Sequence, residues 1–407
     1  MKTFNVFLFL VMSFLYFSYV FNSIQYIFVV YVLLCIIDYS SKNYFKKIIF
    51  GKEDYIWGCF LSVIFISTLY SNNKLEAYTF LLILLMLYLL RTSLINSGNW
   101  ISMFMFSNIL FSSIHILATY VQWLSPSTVN KINYLILERS VYLVNFSQQM
   151  RGKYAGITGQ VGSNAFFITI FIALVISKLY ISKTLKIRMF LSTLLLLGFY
   201  ALLLTEKRGL LLFNIITILF ILIILLYKKM ELKKIKGLII TFFITIITIL
   251  VWMLSINSYL LNYYLFDEDI STGRVDIYKR VLEMISKNPI LGNGIGSIEE
   301  TLNIKGHNIY LQLWAESGIF ALIIFIILIT SFLIFSIKLL LDEKDIKNYS
   351  FLDKILFSIY IQFIFILYGF TGNPLYDYFI LGIYIISTSV PYYLNVKNES
   401  QKEGKFI

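Results

Sequence analysis

Long apolar runs broken by short polar clusters occupy almost the whole chain, and each approaches the roughly 20 residues that a helix needs to cross about 30 Å of hydrocarbon. They fall near residues 4–21, 24–38, 56–71, 75–91, 100–124, 163–182, 189–205, 209–227, 236–254, 309–337, 351–370 and 375–395. Period-2 alternation is absent. Lipid offers no partner to backbone amides, so helices are the spanning solution that remains. The pattern predicts an all-α polytopic integral membrane protein of about twelve spans, a single membrane domain over residues 1–407.

Two polar segments, 125–162 and 255–308, are too long to be plain connections, and long loops in compact membrane proteins are usually functional or disordered. The second lies between the ninth and tenth spans. Within it Val275, Tyr278, Leu282 and Ile285 recur at helical spacing until Asn288-Pro289 stops the pattern, which predicts a short amphipathic helix over the bundle mouth. Residues 396–407 read as a polar tail.

Composition supports the membrane reading. The chain is 59% hydrophobic and only 14% charged, against about 25% charged in soluble domains. The net charge of +12 might point to nucleic acid, yet the basic residues sit in short connections and form no continuous face. Topology explains them better. With the N-terminus inside, most basic residues fall in short segments on the cytoplasmic side: Lys2, Lys42 to Lys52, Arg91, Lys178 to Arg188, Lys228 to Lys236, Lys338 to Lys354, and Lys397 to Lys405. Both termini are then cytoplasmic, and the two long segments lie outside. The first apolar run lacks an Ala-x-Ala-like cleavage site and is read as a retained helix. Cys35 and Cys59 lie in or near apolar runs without metal-ligand spacing and are expected to be small buried residues.

The candidate chemistry gathers on the outer side. His307 sits where the second long segment enters a span, and a neutral imidazole there could accept a proton from a sugar hydroxyl. Taken alone it reads better as an interfacial histidine bonded to backbone. Arg208 at the mouth of spans seven and eight, Arg274 in the segment that holds His307, and Arg151 before span six change that weighting. Guanidinium groups suit phosphate or pyrophosphate, because their fork gives bidentate contacts and their charge does not titrate. Each arginine singly could be a snorkelling lipid anchor. Glu316, about two turns into span ten, should face the interior and pair with an arginine or accept an indole or hydroxyl proton, since a carboxylate at mid-membrane costs about 2.5–3.5 kcal/mol. His115 within span five is a packed or lipid-facing histidine by default. Gly292, Gly294 and Gly296 lack the preceding strand of a dinucleotide site and are expected to form a flexible loop. The Asp267, Glu268 and Asp269 cluster reads as a solvated loop, and no carboxylate pair suggests a metal.

These residues carry a resemblance to bacterial O-antigen ligases and Wzy-type polysaccharide polymerases. The stretches concerned are His307-Asn308-Ile309-Tyr310-Leu311-Gln312 with Glu316-Ser317-Gly318, Thr205-Glu206-Lys207-Arg208-Gly209, Gly273-Arg274 with Tyr278 and Pro289-Ile290-Leu291-Gly292-Asn293-Gly294, and Gly156-Ile157-Thr158-Gly159 running on to Asn164. They occur in order between residues 150 and 320. The chain departs from the family where Lys207 replaces a frequent Ser and Tyr278 a frequent Trp.

The resemblance implies a GT-C-like fold in the bacterial cytoplasmic membrane and metal-independent, cofactor-free, inverting glycosyl transfer. The donor would be an oligosaccharide on undecaprenyl pyrophosphate, and the acceptor a hydroxyl of a glycan or lipid core at the outer face. By matching position Arg208 and Arg274 would hold the pyrophosphate and His307 would orient or deprotonate the acceptor. Arg151, Asn164, Asn308, Gln312 and Glu316 would be substrate contacts. A repeat-unit polymerase for O-antigen or capsule is the leading expectation and a ligase to lipid A-core its rival, with a chain-length regulator as the protein partner such a reaction leaves open. A lipid-linked oligosaccharide transporter is the alternative of another class, disfavoured because charges gather at one face and the chain has only 4 Pro.

Overall fold

Helices account for every regular element in the computed structural model, which describes residues 2–17, 37, 51–97, 100–229, 274–342 and 349–402. In chain order they are α1 (Lys2–Phe17), α2 (Lys52–Tyr70), α3 (Lys74–Asn96), α4 (Ile101–Leu124), α5 (Pro126–Ile136), α6 (Arg139–Met150), α7 (Val161–Ile181), α8 (Leu185–Leu204), α9 (Arg208–Lys229), α10 (Arg274–Lys287), α11 (Ser297–Leu302), α12 (Ile309–Asp342), α13 (Tyr349–Tyr368) and α14 (Tyr378–Lys402). Eight of these, α3, α4, α7, α8, α9, α12, α13 and α14, are long and apolar enough to cross a membrane. The protein is therefore an all-α polytopic membrane protein. Two more expected spans correspond to α1 and α2, and those at 24–38 and 236–254 fall almost wholly outside the described residues, as do Cys35 and the acidic cluster at 267–269.

The centre of the bundle is α7, α13 and α14. α7 packs on α4, α8 and α13, while α14 packs on α3 and α13; α9 and α12 close on the outer sides of α13. Their facing surfaces are apolar and fully covered, for example Phe166, Phe167, Ile170, Phe357, Ile361 and Ile383. Lipid adds no hydrophobic drive between helices, so buried polar side chains bond across the contacts instead. Asn214 donates to Thr169 at 2.9 Å and accepts from Tyr360 at 2.7 Å, and Tyr16 donates to Asn108 at 2.7 Å. His115 is the packed histidine of the two defaults, stacked on Phe167 with ring centroids 3.9 Å apart. Cys59, expected to be buried, is exposed on the outer face of α2, because Trp57 and Phe60 take the inward positions of that turn.

Both long polar segments contain helices. Residues 125–162 fold into α5 and α6, held by polar side chains gathered on Gly156: its amide donates to Gln122 at 2.7 Å, and its carbonyl accepts from Asn133 at 3.0 Å and Asn145 at 3.2 Å. The amphipathic helix expected after residue 274 is α10, but its buried stripe is turned from the predicted one. Val281 and Ile285 are buried with Ile277 and Met284 against them, whereas Val275 and Leu282 are exposed.

The expected tenth span is not continuous. α12 breaks at Gly318, whose φ of +81° and ψ of 175° leave the helix. The break frees backbone groups, and the Pro289–Gly294 loop meets them. Asn293 and Gly294 amides donate to the carbonyls of Ala315 (2.8 Å) and Glu316 (2.9 Å), while the Ile319 amide donates to Pro289 (3.1 Å). Only glycine fits: a Cβ on Gly318 would lie 1.9 Å from the Ile290 carbonyl oxygen, and one on Gly292 would lie 2.5 Å from the Glu316 carbonyl. The glycine-rich stretch expected to be flexible is thus clamped between α12 and the α2–α3 turn, where Ser71 donates to the Ile295 carbonyl at 2.6 Å.

Candidate functional site

A cavity of about 1250 Å³ opens at the end of the bundle where α7, α9, α10 and α14 begin, with Lys305 and His307 reaching it from the segment before α12. Four helix N-termini therefore meet around one space. Each brings the partial positive charge of a helix start to that space, which favours an anion. The charged side chains agree with the backbone: Lys153, Lys207, Arg208, Arg274 and Lys305 line the cavity against Glu206 and Asp377 alone. Glu206 is turned to Lys153 at 3.8 Å, and Asp377 caps α14 by accepting the Ile380 amide at 3.1 Å.

The three residues expected to act chemically come together here. Arg208 opens α9 directly after a turn in which Glu206 has φ +53° and Thr205 accepts the Lys207 amide at 3.3 Å. Arg274 reaches the cavity from α10, which is tied to the α12 entrance by Tyr278. The Tyr278 hydroxyl lies 3.2 Å from the His307 carbonyl and 3.3 Å from that of Phe370. His307 has φ +52°, a left-handed conformation uncommon outside glycine, held by its neighbours. Gln312 accepts the Gly306 amide at 3.0 Å, and the Ile309 amide donates to the Gly369 carbonyl at 2.9 Å. Burial lowers the His307 pKa first, and the charges of Arg274, Lys207 and Lys305 lower it further, so the ring is neutral near pH 7.

The other five candidates sit elsewhere. Arg151 is exposed at the C-terminus of α6 and does not line the cavity. Asn164 is buried and donates to Thr119 at 2.8 Å and to the Tyr154 carbonyl at 3.2 Å. Asn308 caps α12, accepting the amides of Tyr310 (3.0 Å) and Leu311 (3.1 Å). Gln312 and Glu316 form a buried pair at 3.1 Å, and Glu316 accepts a hydroxyl proton from Tyr376 at 2.8 Å, one of the partners foreseen for it. Tyr376 lines the cavity, so Glu316 reaches the site through that phenol.

Sequence reasoning passed over Lys207, Lys153, Lys305 and the aromatic wall of Tyr278, Tyr368, Phe370, Tyr376 and Tyr378, all of which line the space. Lys207 carried a visible signal: it is a second cation beside Arg208 in a turn expected at the outer mouth. Tyr278 was visible only as a helix-pattern residue and as the replacement of a frequent Trp, and the other tyrosines carried no signal, because 30 are spread through the chain. Among the described residues no group of His, Cys, Asp and Glu could hold a metal ion.

The family model described as O-antigen ligase matches residues 193–326. This bears out the resemblance read from the motifs. The match runs from α8 into α12 and takes in Lys207, Arg208, Arg274 and His307, while Lys153 and the α13–α14 wall lie outside it. No curated protein matches the chain.

Proposed function

We propose that this chain transfers a glycan from an undecaprenyl-pyrophosphate donor to a sugar hydroxyl at the outer face of the bacterial cytoplasmic membrane, with inversion and without a metal. The observation that carries this reading is the convergence of Arg208, Arg274 and His307 on one cationic cavity at which four helices begin. In such a displacement the bond from the sugar's anomeric carbon to the pyrophosphate breaks while the acceptor oxygen attacks from the opposite face. Charge grows on the leaving oxygen. Arg208, Arg274 and the helix N-termini are fixed donors that stabilise this charge without reorganising, which is where preorganised sites act most strongly. His307, neutral because its surroundings oppose a second positive charge, accepts the acceptor's proton. The tyrosine and phenylalanine wall supplies faces against which sugar rings pack.

The acceptor is the repeat unit of another lipid-linked chain in the polymerase reading. A ligase to a lipid core is the second reading, favoured by the name of the matched family, O-antigen ligase. Purified protein supplied with undecaprenyl-pyrophosphate repeat unit separates them. A ladder of longer lipid-linked glycans marks a polymerase, and product only after a lipid-core acceptor is added marks a ligase. No transfer under either condition would refute the enzymatic reading.

A further inference from the structure

Lys207 is not accounted for by the roles given to Arg208, Arg274 and His307. Its side chain folds back over the start of α7: a Cβ built on Gly162 would lie 3.6 Å from its Cε and 3.8 Å from its Nζ, with the Tyr368 hydroxyl at 3.5 Å from the same point. The amine thus sits over a helix N-terminus, itself electropositive. Its charged surroundings are also positive. Arg208 adjoins it in sequence, Arg274 and Lys153 act on it electrostatically, Lys305 lies across the cavity, and its own charge acts on His307. The two carboxylates that line the space are engaged elsewhere, Glu206 with Lys153 and Asp377 with the first turn of α14. Among the described residues no carboxylate lies within ion-pair distance of Lys207. A half-buried ammonium facing cations and a helix start is stable only when an anion arrives.

We propose that Lys207 is a further pyrophosphate-binding residue of this site, and that the empty cavity takes up a proton there as the pyrophosphate enters. This rests on the glycosyl-transfer reading of the cavity and names how the same site takes its donor. Burial, followed by the charges of Arg274 and Lys153, pushes the Lys207 amine down to about 8 in the empty cavity. A bound pyrophosphate reverses the sign of its surroundings and returns it toward the ordinary lysine value. The phosphate's own last ionisation lies near 6, so the ligand's charge is constant above pH 7.5. His307 is neutral throughout that range, and burial holds the Tyr278 phenol above its ordinary value. The sign follows. A lysine whose empty-state value is lowered must gain its proton to bind an anion, so affinity is full below pH 8 and is lost as pH rises above it.

The test is binding of undecaprenyl pyrophosphate to the purified full chain at pH 7.5 and 9.5, for wild type, Lys207→Met, Lys207→Arg and Arg274→Ala. Wild-type affinity should fall about twentyfold across this interval, because each pH unit above an empty-state value near 8 costs close to tenfold. Lys207→Met should bind at pH 7.5 more weakly than wild type does at pH 9.5, where most of the bound lysine still carries its proton, with little change between the two. Lys207→Arg should stay tight at both, since a guanidinium does not titrate. Lys207→Met should also raise the Tm of the empty protein at pH 7.5, a change opposite to that of a residue kept for packing. Equal pH dependence in wild type and Lys207→Met, with Arg274→Ala still weakening binding, overturns the role of Lys207 alone. Failure of wild type to bind undecaprenyl pyrophosphate at either pH overturns the donor-site reading with it.

Discussion

The two ends of the bundle hold the same kinds of charged side chain and use them differently. At the end away from the cavity, Arg91 and Lys178 are matched. Arg91 is buried with its guanidinium 2.8 Å from Asp54 and lies over the rings of Phe332 and Tyr392 at 4.9 and 4.6 Å. Lys178 pairs with Asp353. At the cavity end five cations face a shared space lined by two carboxylates, and neither Lys207 nor Arg274 has an acidic partner among the described residues. Matched buried charges tie helices together, and losing one partner strands the other. Unmatched charges around a void destabilise the empty protein and are repaid only by a ligand, as expected where function and stability compete.

The comparison can be broken by substitution. The largest expected effects are on catalysis at the cavity end: His307→Ala or Arg274→Ala should lower glycan transfer by about 100-fold or more while the thermal unfolding temperature in detergent stays within a few degrees of wild type. Arg91→Ala should do the reverse. Removing one partner of a buried pair costs about 3–5 kcal/mol, so unfolding should come much earlier, measured by the same thermal scan. Transfer per folded molecule should be nearly unchanged. A protein in which both substitutions lower activity and stability together would erase the distinction between the ends.

Next in size is Gly318→Ala. The left-handed backbone alone costs about 1–3 kcal/mol, and the new methyl collides with the Ile290 carbonyl, so the Pro289–Gly294 loop must leave its place. Loss of both stability and transfer is expected, because that loop ties α10 to the broken α12, and His307 lies two residues before α12 begins. The pH dependence gives a smaller, sharper effect. With the His307 value lowered by burial and then by Arg274, Lys207 and Lys305, transfer at saturating donor should hold its full rate from pH 7.5 down to about the ordinary histidine value and fall at lower pH, as the imidazole protonates, while the alkaline loss belongs to Lys207. Residual transfer by Lys207→Met should show that acidic limb displaced upward in pH, since one of the opposing charges is gone. The smallest effect belongs to Arg151→Ala, an exposed residue outside the cavity, which should change transfer by less than about threefold.

Spans were readable because hydropathy is a direct readout of the solvent a segment occupies, and runs such as 163–182 and 189–205 reappear as α7 and α8 within a few residues. Arg208, Arg274 and His307 were readable because charges are scarce in this chain and these three fell on the side that the charge pattern assigns to the outside. What was not readable depends on three dimensions. The break at Gly318 is invisible to hydropathy, since Ile319 continues the apolar run without pause. Asn164, Asn308 and Gln312 look like ligand contacts in a motif, yet their hydrogen bonds cap a helix or join buried segments, a use of polar groups that spacing does not distinguish from binding. Lys207 was noticed only as a departure. Its meaning came from Gly162, Lys153 and Arg274, residues far from it in sequence.

The most direct test of the central claim is a structure of the protein with undecaprenyl pyrophosphate bound. The pyrophosphate should lie in the cavity within contact of Arg208 and Arg274, with His307 facing the open side where an acceptor would stand. Density for the pyrophosphate at any other place, such as the lipid-facing surface of α8, with the cavity empty, would contradict it.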